Sequence, residues 1–131
     1  GFLSKGITVR SMLEHRGDVH HIFPRDYLKK QFGLKRSEYN QVANYVYTQQ
    51  EINIVIGNEP PDQYMAKIKN QCQGGEVVYG NITDLDDLKT NLIESAIPLG
   101  FLDDTPFEYE DFLLERRKAI SLKLKHYYFS L

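Results

Sequence analysis

With 131 residues, 41% of them hydrophobic and 26% charged, the chain is long enough for one domain with its own core and too short for two independent ones. No apolar run approaches the ~18 residues of a membrane helix. A single cysteine, Cys72, excludes an internal disulfide and a cysteine-based zinc knuckle, and fits a reducing compartment, the cytoplasm by default. No basic start with an apolar h-region marks a signal peptide, and the Gly1 start is that expected of a piece of a longer protein. The net charge of −2 argues weakly against a nucleic-acid partner, but the charges are segregated. Residues 1–39 carry eight Lys/Arg against four Asp/Glu, residues 51–111 three against thirteen, and residues 112–131 five against one. Charge runs are ordinarily just solvated faces; here the two basic ends could also form one phosphate-facing surface, with the acidic middle turned away.

In chain order, Val9, Met12 and Leu13 predict a short helix from Thr8 to about Arg16, capped by Thr8 or Ser11 and stopped at Gly17. Asp18 to Phe23 alternates and ends at Pro24, as a short strand that turns sharply; His20 and His21 then point to opposite sides. Helical pieces follow at Arg25–Phe32 and Ser37–Ala43, broken at Gly33. Residues 44–48, NYVYT, read as a second strand, and QQEINIVI, up to Gly57, as a helix of about two turns.

Pro60-Pro61 opens a further helix with Tyr64, Met65, Ile68 and Cys72 on its apolar face, closed by Gly74-Gly75. Thr83 caps the next, with Asp86 three residues on and Leu85, Leu88, Leu92, Ile93 and Ile97 as its stripe. A long helix from about Phe107 to Phe129 places Tyr109, Phe112, Leu113, Ile120, Leu124 and Tyr128 on one side, with acids early and bases late as the macrodipole favours. The expected class is α+β, mostly α, in one domain over residues 1–131: a strand–strand–helix finger at about 17–57 and a helical remainder at 60–131.

Cutting a phosphodiester needs a base for water, a divalent cation for the developing charge and a scaffold that holds both. Two imidazoles splayed at a twisted strand end could divide the first two tasks. A lone His-His pair is more often hydrogen-bonded to backbone beside a turn. Here the pair, DVHHIFP, is followed by Asn44 in ANYVYT and by Asn53 nine positions later. This order resembles the HNH (His-Me finger, ββα-metal) nuclease motif, and over most of the chain the pattern looks most like the C-terminal nuclease half of GmrSD-type modification-dependent restriction proteins.

That resemblance implies a metal-dependent DNA endonuclease of restriction or antiviral defence. His21 matches the general base, His20 the first metal ligand, Asn53 the third-motif ligand and Asn44 the structural asparagine. Asp18 matches an acidic position two residues before the pair, more often an orienting partner than a ligand, and Glu51 is a possible extra ligand. The cation would be Mg²⁺ or Mn²⁺, its shell completed by water and phosphate. The family's basic side chain after the third ligand is missing, since Asn53 is followed by Ile54.

The partners implied are DNA and an N-terminal nucleotide-hydrolysing domain of the same protein, with no membrane. Arg25, Lys29, Lys30, Arg116 and Arg117 are the candidate phosphate contacts. His15, on a predicted surface helix, and His126, among Lys and Tyr, read as ordinary surface residues; Tyr45 and Tyr47 read as core, and Asn40 as a helical alternative to Asn44. The competing expectations are a catalytically silent nucleic-acid-binding module and a helical protein-interaction domain docking through its acidic 51–111 region.

Overall fold

The computed structural model describes residues 2–3, 17–103 and 108–130; the predicted helix from Thr8 to Arg16, with His15, lies outside them. Strand β1 (Gly17–His21) pairs antiparallel with β2 (Tyr45–Gln49), setting His20 opposite Val46 and His21 opposite Tyr45. Helices α1 (Arg25–Phe32) and α2 (Arg36–Tyr39) fill the long connection between the strands, and α3 (Gln50–Ile56) leaves the end of β2 and packs on both strands. The finger therefore has its expected order. The fold is α+β and mostly helical, with one two-stranded sheet among the described residues.

Local chemistry explains most boundaries. Gly33 ends α1 in the left-handed conformation at φ 64°, its N–H bonded to the carbonyl of Lys29. The helix predicted over Ser37–Ala43 is instead one turn of α2 followed by a 3₁₀ turn at Val42–Asn44. Asn44 therefore precedes β2 instead of opening it, and Asn40 lies just beyond α2. Helix α4 (Pro61–Gln71) begins with proline at its first position, where a missing N–H costs nothing, and buries Tyr64, Met65, Ile68 and Gln71.

Helix α5 (Leu85–Glu94) is capped by Asp84, not Thr83: the Asp84 carboxylate accepts from the N–H groups of Asp86 and Asp87. Leu88 and Leu92 form its buried line, whereas Ile93, about 100° further round, is exposed. Helix α6 (Tyr109–Phe129) buries Tyr109, Phe112, Leu113 and Arg116 only. Its later turns project from the core, so Leu124 and Tyr128 do not extend the stripe the sequence suggested: Leu124 is 64% exposed.

One core joins finger and helices, from Phe2 and Leu3 through Ile22, Phe23, Tyr64 and Leu88 to Leu113. Phe23 sits at its centre, its ring against Phe101, Tyr109 and Phe112. Phe2 pairs with Thr48 as a parallel bridge, so it lies along the edge of β2. Gly80 sits at φ 54° where an added Cβ would fall 2.3 Å from the Leu3 carbonyl oxygen, so only glycine lets the loop pass there. Among the described residues, no helix is long and apolar enough to cross a membrane.

Candidate active site

Strand alternation sends neighbouring side chains to opposite faces, and the two histidines obey it. His20 points inward and is 2% exposed. Its ring stacks on Phe2 at 5.9 Å and meets Tyr64 edge-on at 6.0 Å. Its Nδ1 lies 2.7 Å from Oδ1 of Asn53, a residue of α3 that is 33 positions away in the chain. An amide oxygen can only accept, so Nδ1 carries the proton and Nε2 the lone pair. That Nε2 is buried and has no hydrogen-bond partner among the described residues. Loss of water around the ring is the main reason its pKa is pushed down to about 4; the Asn53 bond opposes the shift and the neighbouring His21 adds to it.

His21 closes the strand on the other side and is half-buried. Its ring stands perpendicular to Tyr45 at 5.0 Å and packs against Tyr39 at 6.5 Å. Its Nε2 lies 2.9 Å from Oδ1 of Asn40, while its Nδ1 has no partner among the described residues. Tyr45 and Tyr47 are half-buried, and Tyr45 acts as a wall for His21.

Asn44 bonds the backbone at the corner after β1. Fully buried, its Oδ1 accepts from the Phe23 N–H at 2.8 Å, and its Nδ2 donates to the carbonyls of Phe23 and Tyr39. Its own carbonyl accepts from the Ile22 N–H. One side chain thus satisfies the backbone where β1 turns into Pro24, a corner that no sheet ladder could serve. The Tyr64 hydroxyl adds a bond to the Ile22 carbonyl at 2.7 Å, and burial holds its pKa well above the usual phenol range.

The donors present can be tested for a divalent ion. Two ligands on one edge of an octahedral shell, each ~2.1 Å from the ion, lie about 3 Å apart, close to the 2.7 Å between His20 Nδ1 and Asn53 Oδ1. A buried neutral imidazole is the ligating form, and the orphaned Nε2 offers a place for the displaced proton. The spacing matches two neighbouring ligands of such an ion, whereas the 2% exposure of His20 leaves water little access to complete its shell. Among the described residues, no group of three His, Cys, Asp or Glu side chains could hold an ion unaided.

Glu51 does not join the pair: it lies two positions from Asn53 on α3, about 200° round the helix, and is exposed. Asp18 lies on β1 opposite Thr48, and its side chain lies outside the described set.

Of the five basic candidates, Arg25, Lys29, Lys30 and Arg117 are exposed. Arg117 bonds the Gln41 side chain at 3.2 Å and so stands beside the loop that carries Asn40. Arg116 is a correction: only 5% exposed, it donates to the carbonyls of Ala43, Tyr45 and Ser95, tying α6 to the finger and to the end of α5. Burial lowers its pKa to about 10. It is a structural clamp, not a phosphate contact.

Sequence reasoning also missed Gln71, whose amide donates to the carbonyls of Tyr79 and Ile82 and accepts from the N–H groups of Val78 and Tyr79. A readable signal existed for both. Gln71 continues the Tyr64–Ile68 seam, and Arg116 that of Phe112–Leu113, at helical spacing; a polar residue in such a seam must bring its own partners. No family model, curated protein or solved structure matches the chain.

Proposed function

We propose that the chain is a metal-dependent DNA endonuclease of the ββα-metal type, a phosphodiester hydrolase acting in restriction or antiviral defence in the cytoplasm. The observation that carries this reading is the 2.7 Å contact between His20 on β1 and Asn53 on α3, beside a second histidine whose Nδ1 has no partner among the described residues. In this mechanism His21 removes a proton from water at Nδ1. His20 and Asn53 would hold Mg²⁺ or Mn²⁺, which would supply positive charge to the phosphate and the departing oxygen. Asn44 keeps β1 and the loop before β2 in register, and Arg117, with Arg25, Lys29 and Lys30, supplies phosphate contacts. DNA is the substrate, and a nucleotide-hydrolysing domain of the same protein is the expected partner.

His21→Ala is expected to slow nicking of plasmid DNA in Mg²⁺ or Mn²⁺ by roughly 100-fold or more with the fold intact; undiminished nicking removes the assignment. His20→Ala and Asn53→Ala are each expected to weaken Mn²⁺ binding in calorimetry. The burial of His20 favours a second reading, a nucleic-acid-binding module that keeps the finger for shape. It predicts DNA binding indifferent to chelator and no cleavage in any divalent ion.

A further inference from the structure

We propose that Asn40 is the positioning residue of His21: its side-chain amide fixes the ring with the proton on Nε2 and so presents Nδ1 as the proton-accepting atom. The catalytic meaning rests on the nuclease reading, whereas the tautomer is a property of the fold. Asn40 Oδ1 lies 2.9 Å from His21 Nε2 and has only lone pairs to offer, so the ring nitrogen must donate. His20, one residue earlier, is held the other way, with Nδ1–H directed at Asn53. Two asparagines, one on α3 and one in the loop after α2, thus impose opposite tautomers on adjacent histidines.

An exposed hydrogen bond between mobile side chains would order little, but this one is braced. The Asn40 N–H bonds the Arg36 carbonyl, and the Asn44 side chain and N–H bond the carbonyls of Tyr39 and Gln41 on either side. The Tyr109 hydroxyl bonds the Glu38 carbonyl at 2.7 Å. With the loop fixed and the Tyr39 and Tyr45 rings set edge-on against the imidazole, rotation of the His21 ring is restricted.

The proton accounting is simple. A water O–H bond breaks and its proton goes to Nδ1 of His21. The hydroxide oxygen forms a bond to phosphorus, and the phosphorus–oxygen bond to the leaving group breaks with its electron pair on that oxygen. The imidazolium formed keeps its Nε2–H on Asn40, a bond that strengthens once the donor is charged.

NMR of the histidine ring nitrogens in the metal-free protein at neutral pH reads the tautomer directly. Expected are an unprotonated Nδ1 and a protonated Nε2 for wild-type His21, averaged signals in Asn40→Ala, and the wild-type pattern in Asn40→Asp, which keeps an acceptor oxygen. Nicking in Mn²⁺ should fall roughly 100-fold in Asn40→Ala and recover at least in part in Asn40→Asp. A proton on Nδ1 of wild-type His21, or signals unchanged in Asn40→Ala, overturns the proposal whatever the nicking assay gives. The expected tautomer pattern in a protein that nicks nothing in any divalent ion supports the positioning role of Asn40 and overturns the nuclease reading instead.

Discussion

Asn44 concentrates three hydrogen bonds in one buried amide, so Asn44→Ala strands the N–H and carbonyl of Phe23 and the carbonyl of Tyr39 at once. At 1–3 kcal/mol per unsatisfied group, less whatever water recovers, the expected loss is about 3–5 kcal/mol, read as a lower urea midpoint at unchanged slope. His20 makes a different prediction. In the unfolded chain it binds a proton near pH 6.5, and in the folded chain only near 4. Between those values the unfolded state holds more protons, so stability is at its full value above pH 6.5 and falls as pH drops toward 4, by about 3 kcal/mol in all. Urea unfolding from pH 7 to 4 in chelator, compared between wild type and His20→Phe, isolates the contribution. Parallel curves for the two proteins would mean that the buried ring does not carry it.

Between elements, the informative contrast lies within α6. Arg116 and Leu124 occupy the same long helix, and only their surroundings differ. Arg116→Ala leaves three carbonyls on the finger and α5 without a donor, and is expected to cost about 3–5 kcal/mol. Leu124→Ala removes a side chain that already faces solvent, and is expected to change stability by less than about 0.5 kcal/mol. Thermal or urea unfolding of the two variants checks the pair. A large loss in Leu124→Ala would show that the later turns of α6 are covered. The apolar stripe over Tyr109, Phe112 and Leu113 was legible at helical spacing, but how far along α6 the core reaches was not, because a period says which face is apolar and nothing about what lies against it.

Over the whole molecule, Phe2 and Leu3 and the candidate site form one packed unit. Phe2 donates its N–H to the Tyr47 carbonyl, accepts at its own carbonyl from the Thr48 hydroxyl, and lays its ring on His20; Leu3 donates its N–H to Asn91 on α5. Phe2→Ala is expected to cost about 3–5 kcal/mol as a cavity in the core. By admitting water beside His20 it should also raise that residue's pKa from about 4 toward 6.5. Denaturation and a histidine NMR titration test the two effects separately; a His20 pKa unmoved by the loss of the Phe2 ring would deny that this ring keeps water from it.

The sequence alone determined the order strand, strand, helix, and the roles open to its residue types. Alternation put His20 and His21 on opposite faces of β1, and Asn53 fell on the helix after β2. Those features depend on neighbours along the chain. Only the tertiary structure decided which asparagine serves which histidine, that Phe2 covers His20, and that Arg116 is spent on backbone carbonyls while Arg117 stays in solvent. Such outcomes depend on pairings of residues tens of positions apart, set by how helices and hairpin share one core, and no local pattern of residues encodes that sharing.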